Sequence, residues 1–189
     1  KSSTFPVWDY IILTASNPHQ AQSFELQIQS RSAFLPSRTT FAVIPDEGGV
    51  RVGSGGATLS VLRYLNDHGG WSGKRVLVIH SGGDSKRVPQ YSALGKLFSP
   101  VPHVLPDGRS STLFDEFLIA MSAVPGRIRE GMLLLSGDVL LLFFQWNDIS
   151  HEGQFLVEVP GVNILPRHKG HDSSQLRCGE FPGKKVEHQ

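Results

Sequence analysis

Cys178 is the single cysteine of the chain, so no intrachain disulfide can staple the fold, in keeping with a reducing, cytoplasmic compartment. Long apolar runs are missing as well. The longest, Val139 to Phe144, is far short of the roughly 20 residues that a membrane helix needs. Lys1 to Tyr10 lacks the apolar stretch of a secretory signal. Charge of one sign is scarce: 18 Lys and Arg against 17 Asp and Glu leave a formal charge of +1. That is too little to gather nucleic acid or a membrane surface, so neither is expected as a partner and sites must do the recognising. Internal repeats and heptads are absent, which sets aside solenoids and coiled coils. No methionine opens the chain at Lys1, as in a fragment or a processed product.

What is present is enough for one core. With 189 residues, 39% of them apolar, a single globular domain is the default. Strand signals fall at Trp8 to Ala15, Thr39 to Ile44, Lys74 to His80 and Gly131 to Ser136, each an apolar run closed by a turn signal. Helix signals lie between them, at Ala21 to Arg31, Ala57 to Asn66 and Leu113 to Ala123. In the last of these Leu113, Phe114, Phe117, Leu118 and Met121 form one stripe at helical period. Continuous apolar strands alternating with amphipathic helices predict an α/β fold with a mostly parallel sheet covered on both faces. After Phe144 the texture changes. Only Gln154 to Val159 reads as a strand, and an irregular, weakly packed tail is expected from about Val162.

The sharpest pattern is His80-Ser81-Gly82-Gly83-Asp84-Ser85-Lys86-Arg87-Val88-Pro89. A strand that ends in two glycines lets backbone N–H groups approach a ligand and converge on phosphate oxygens. Lys86 and Arg87 follow at once and would neutralise that charge. A tight strand-to-helix turn with solvated basic residues is the plainer alternative. The segment lies in the more basic part of the chain: residues 71 to 144 hold eight basic and six acidic groups, whereas residues 1 to 70 hold five of each.

Three further segments add to it. Lys96 sits in Gly95-Lys96-Leu97-Phe98-Ser99-Pro100, and a lysine against apolar neighbours calls for an anion, unless it is a surface lysine on a loop. Asp138 follows the fourth strand through Ser136-Gly137, at the carboxyl end of the sheet where open α/β folds bind ligands. One such carboxylate suits a nucleotide-bound magnesium ion, and a helix N-cap is the alternative. Gly53-Ser54-Gly55-Gly56-Ala57-Thr58 reads as a second glycine loop that opens the helix at Ala57. It suits an anion or a base edge, or else serves close helix-to-strand packing. It matches neither the G-x-x-x-x-G-K-[ST] nor the G-x-G-x-x-G pattern. His80 reads as a strand-end residue lining the site rather than as a base.

Taken together, these segments resemble the family of fucose-1-phosphate guanylyltransferases and bifunctional L-fucokinase/GDP-fucose pyrophosphorylases. The resemblance runs from Trp8 to Phe144 and rests on Trp8 to Ala15, Arg51 to Leu59, His80 to Pro89 with Ala93 to Phe98, and Ser136 to Val139. It implies a Rossmann-like sheet of the sugar-nucleotidyltransferase type, with GTP, L-fucose 1-phosphate and Mg2+ as ligands. Gly82, Gly83 and Ser85 would hold the triphosphate, in a nucleotide loop that also includes Asp84 and Lys86. Arg87 would stabilise the leaving pyrophosphate, and Lys96 would bind phosphate near the reacting centre. Asp138 would hold the metal, while Gly53, Ser54, Gly55, Gly56 and Thr58 would line the guanine or ribose end. The implied organisation is a partial nucleotidyltransferase-like domain over 1–144 and a divergent tail over 145–189. Family members continue into a sugar-recognising half, so this chain alone is expected to have little transferase activity. A non-catalytic nucleotide- or sugar-phosphate-binding module is the alternative.

Overall fold

The computed structural model describes residues 6–50, 52–81 and 95–137, together with the backbone of 162–165. Strands β1 (Tyr10–Ala15), β2 (Thr40–Pro45), β3 (Arg75–His80) and β6 (Gly131–Ser136) run parallel in the order β2-β1-β3-β6. Strand β7 (Val162–Leu165) adds to β6 in antiparallel sense. These four residues belong to the sheet, where the sequence pattern suggested the onset of an irregular tail. A separate antiparallel pair, β4 (Pro100–Val104) and β5 (Ser110–Thr112), lies outside the main sheet.

The alternation of side chains along each strand divides the core in two. Ile11, Leu13, Leu77, Ile79, Leu133 and Leu135 pack on one face with residues of α1 (Pro18–Gln29) and α3 (Leu113–Met121). Ile12, Val76, Val78 and Met132 pack on the other with Val61 and Leu65 of α2 (Gly53–Asp67). Helices therefore cover both faces, which is why the strands read as uninterrupted apolar runs. The chain leaves β1 toward β2 on one side and returns to β3 on the other, so the strand order reverses between β1 and β3. In open α/β sheets that reversal opens a crevice at the carboxyl ends of the two strands. Among the described residues no helix is long and apolar enough to cross a membrane.

Helix α1 begins earlier than the polar helical stretch from Ala21 suggests, with Asn17 accepting a hydrogen bond from the Gln20 N–H and Pro18 in the first turn. A proline there gives up only an N–H that has no helical partner, which suits it to this position. Its far end carries a buried charge. Arg31 forms a bidentate pair with Asp115, Nε to Oδ1 at 3.0 Å and Nη2 to Oδ2 at 3.3 Å, while Nη1 donates to the Gln27 carbonyl at 2.9 Å. Asp115 also closes the capping box of α3 with Thr112. The guanidinium carbon lies 5.2 Å from the Phe98 ring centre and 5.9 Å from that of Phe114. Burial pushes the Asp115 carboxyl up, but hydrogen bonds from Arg31 and Thr112 outweigh it and hold the group below the ordinary carboxylate range.

The exposed pair Arg63–Glu47 contributes about 0–1 kcal/mol at most. Arg31–Asp115 is different because removing one partner strands a buried charge. Arg31→Met is therefore expected to cost about 3–5 kcal/mol, read as a lowered urea midpoint at unchanged slope. A change under about 1 kcal/mol would show that water reaches the pair.

Candidate functional site

Parallel register brings three polar residues into one row. Thr14 of β1 pairs with His80 of β3, and His80 with Ser136 of β6. His80 and Ser136 end their strands and Thr14 is the last but one of β1, each after an apolar residue, and their side chains fall on the face that α2 covers, as do Ile12, Val78 and Leu134. The next residues draw the strand ends tightly together. Ser81 donates through its hydroxyl to the Thr14 carbonyl at 2.7 Å, and the Gly137 N–H donates to the His80 carbonyl at 2.9 Å. A Cβ on Gly137 would stand 3.1 Å from Ser81 Cα and 3.2 Å from the His80 carbonyl oxygen. Glycine suits this position because a side chain there would press on Ser81 and on the His80 backbone, which would have to give by a few tenths of an ångström.

The glycine segment after residue 52 corrects the expectation of a loop. Gly53, Ser54, Gly55 and Gly56 are already the first turn of α2, and Thr58 lies in the second. Gly53 has φ of +70°, a left-handed conformation suited to glycine. A Cβ on Gly56 would lie 2.5 Å from Val52 Cβ, so the turn closes only with glycine at that position. Three glycines and a serine give this helix start no bulky side chain of its own over its N–H groups, an arrangement suited to an anion or a base edge. Thr58 joins it to the sheet, its hydroxyl 3.1 Å from His80 Nε2. The other ring nitrogen, Nδ1, is 3.3 Å from the Thr14 hydroxyl.

Lys96 approaches the same edge from the α1 side. Gly95 before it has φ 61° and ψ 176°, a backbone region essentially reserved for glycine. A Cβ there would meet Phe24 Cζ at 3.3 Å and Gln20 Nε2 at 3.5 Å. Gln20 in turn accepts from the Ser16 N–H at 2.8 Å and the Ser16 hydroxyl at 3.0 Å, directly after β1. Leu97 and Phe98 are buried, Phe98 packing on Phe24 and Phe114, and Lys96 itself is half-buried. The lysine thus stands on an anchored turn rather than a free loop. Gly82, Gly83, Asp84, Ser85, Lys86, Arg87 and Asp138 lie outside the described residues, as does Arg51.

Thr14, Ser16, Gln20 and Asp46 are site-edge residues that the sequence reading did not single out. Asp46 follows β2, its N–H donating to the Ala15 carbonyl at 2.8 Å. Only Asn17-Pro18, a helix N-cap followed by proline, could have marked this turn from sequence. Among the described residues there is no group of three His, Cys, Asp or Glu side chains able to hold a metal ion. A shallow groove lined by Leu59, Leu62, Arg63, Asn66 and Asp67 lies on the outer side of α2 and contains none of the expected site residues.

Burial pushes His80 below its ordinary pKa of 6.5, and the Asp46 carboxylate raises it only in part. Between the folded-state pKa and 6.5 the unfolded chain therefore binds more protons than the folded one. Stability from this group is complete above about pH 6.5 and is lost as pH falls through the folded-state value. Urea midpoints measured from about pH 7 to about pH 5 should decline in the native chain and decline less in His80→Gln. The depressed carboxyls of Asp115 and Glu116 act only at lower pH. Gly137→Ala should lower stability by about 1–3 kcal/mol through overpacking. An unchanged midpoint would mean that the ends of β3 and β6 are looser than the contacts indicate.

The model of the fucose pyrophosphorylase domain matches residues 69–166. The match extends past Phe144, the end of the resemblance that the sequence motifs carry. The bifunctional fucokinase/GDP-fucose pyrophosphorylase of Arabidopsis thaliana is 36% identical over 194 residues, covering 86% of this chain and 18% of its own length. Fucose-1-phosphate guanylyltransferase of Mus musculus is 35% identical over 186 residues, covering 96% of this chain and 29% of its own. The human guanylyltransferase is 36% identical over 99 residues, 50% of this chain. The chain spans less than a third of the length of these relatives. No solved structure matches it significantly. With the parallel sheet, the glycine-rich helix start and a family match over more than half of its length, the chain belongs to the fucose pyrophosphorylase domain family.

Proposed function

We propose that this chain forms the nucleotide-binding part of a fucose-1-phosphate guanylyltransferase, which converts GTP and L-fucose 1-phosphate to GDP-L-fucose and pyrophosphate. The observation that carries the reading is the convergence of the β1 and β3 ends, the first turn of α2 and the Gly95–Lys96 turn on one edge of the sheet, within a chain of this family. A phosphate oxygen of the sugar 1-phosphate attacks the α-phosphorus of GTP, a new P–O bond forms, and the bond to the bridging α–β oxygen breaks as pyrophosphate leaves. No covalent protein intermediate is required.

The protein's task is to hold two anions that repel each other and to stabilise the charge spreading over the phosphoryl oxygens. Lys96, on its anchored turn, is assigned to phosphate near the reacting centre. Gly82, Gly83, Asp84, Ser85 and Lys86 are assigned to the triphosphate, and Arg87 to the departing pyrophosphate, because they follow the β3 carboxyl end directly in sequence. Gly53, Ser54, Gly55, Gly56 and Thr58 are assigned to the guanine or ribose end. Asp138 follows β6 in sequence and would hold a nucleotide-bound magnesium ion, which takes one or two carboxylates beside phosphate oxygens and water. When bound, that ion would offset phosphate charge.

Calorimetry with GTP and ATP in the presence of magnesium tests the assignment. A preference of at least about tenfold for GTP, equivalent to about 1.4 kcal/mol, is expected, and equal or absent binding counts against it. Pyrophosphate release on adding L-fucose 1-phosphate then separates transfer from binding alone. Lys96→Ala should reduce any such release by about 10²–10³-fold while the unfolding midpoint holds. Release would exclude a non-catalytic nucleotide-binding module, whereas GTP binding with no release fits that module as well as a nucleotide-binding part that lacks the sugar-recognising half.

A further inference from the structure

The Thr14–His80–Thr58 bridge has a direction. The Thr58 hydroxyl lies 2.8 Å from the Ser54 carbonyl one helical turn earlier and donates to it. A hydroxyl has a single proton, so toward His80 Thr58 can only accept. His80 Nε2, at 3.1 Å, must therefore carry the hydrogen. In the neutral ring this leaves Nδ1 as an acceptor, and the Thr14 hydroxyl at 3.3 Å supplies the proton. The chain of donors runs Thr14 to His80 to Thr58 to the Ser54 carbonyl. It begins on β1, crosses β3 and ends within the first turn of α2.

That first turn is the part of α2 least able to hold its own shape. Gly53, Gly55 and Gly56 have large backbone freedom to lose and no side chains to pack. The helix N-cap, Val52, makes no side-chain capping bond. Thr58 of α2 reaches the sheet through its bond to His80, while Arg63 bonds to the exposed Glu47. We propose that His80, as its neutral Nε2–H tautomer, is a positioning residue that locks the glycine-rich first turn of α2 against the carboxyl end of the sheet and so presets the nucleotide contact made there. The nucleotide part of this rests on the function proposed above, whereas the locking of the turn does not.

Two amide substitutions separate the two ends of the bridge. In His80→Gln the side-chain amide reaches the position of Nε2 and can still donate to Thr58. In His80→Asn it reaches only the Nδ1 position and retains Thr14 alone. Both remove the ring and its packing. With the full chain, nitrogen-15 spectra at neutral pH should show His80 protonated on Nε2. Hydrogen exchange of the α2 amides from Ala57 to Val61 should quicken by about tenfold in the Asn variant and by less than about threefold in the Gln variant, the scale of one net hydrogen bond. Magnesium–GTP affinity should fall in the same order and by similar factors.

An Nδ1–H tautomer, or equal exchange in the two variants, overturns the proposal. If the native chain binds no nucleotide, the functional assignment fails while the exchange comparison still decides whether His80 locks the turn. Equal GTP affinity in Asn and Gln variants that differ in exchange would overturn the presetting of the nucleotide contact.

Discussion

Everything at the candidate site depends on the parallel register of β1, β3 and β6. A parallel sheet puts all its strand carboxyl ends on one edge, so residues from positions 14, 80 and 136 become neighbours without any loop having to reach for them. The pleat then decides which side they face. Thr14, His80 and Ser136 share the face of Ile12, Val78 and Leu134, and that is the face against which α2 packs. A register slip of one residue would turn the polar row toward α1 and α3 and bury it in the larger core. The apolar residues that fill both faces therefore fix the position of the polar ones at the edge.

The second support lies away from that edge. Arg31 and Asp115 join the end of α1 to the start of α3, and the guanidinium lies within reach of the Phe98 and Phe114 rings. Phe98 is two residues beyond Lys96, and Gly95 rests against Phe24. A charge pair deep in one face of the molecule is in this way connected through aromatic packing to the turn that carries the half-buried lysine. The same pair closes the α3 capping box through Thr112, so helix initiation and turn placement share one carboxylate. Such coupling explains why a buried charge is tolerated: each of its polar atoms has a partner.

Much of the fold was legible because the strands are buried on both faces. Tyr10–Ala15, Arg75–His80 and Gly131–Ser136 appear within a residue or two of the apolar runs that announced them. Helix starts were less legible. Apolar periodicity begins only where a helix meets the core, and it is silent about the turns before that point. The sequence signals start α2 at Ala57 and α1, a polar stretch, at Ala21, whereas the helices begin at Gly53 and Pro18. The β4–β5 pair is not legible in the sequence because Pro100 and Pro102 argue against a strand, although an isolated two-stranded pair tolerates them. Strand β7 had no periodic signal to announce it. Its pairing is made by backbone groups of β6 that a sequence pattern does not reveal.

By itself the sequence determined the α/β class, the sheet's parallel core and the pairing of glycines with cations that pointed to a phosphate ligand. These follow from local chemistry: apolar runs with turn signals, glycine's freedom, and lysine or arginine beside it. Tertiary structure alone decided that Thr14 and Thr58 meet on His80, that Gly137 is confined by Ser81, and that Phe24 and Phe98 steady the turn of Lys96. Those contacts join residues tens of positions apart. Their partners are chosen by strand order, register and the packing of helices on the two sheet faces, none of which is written in any short stretch of the chain.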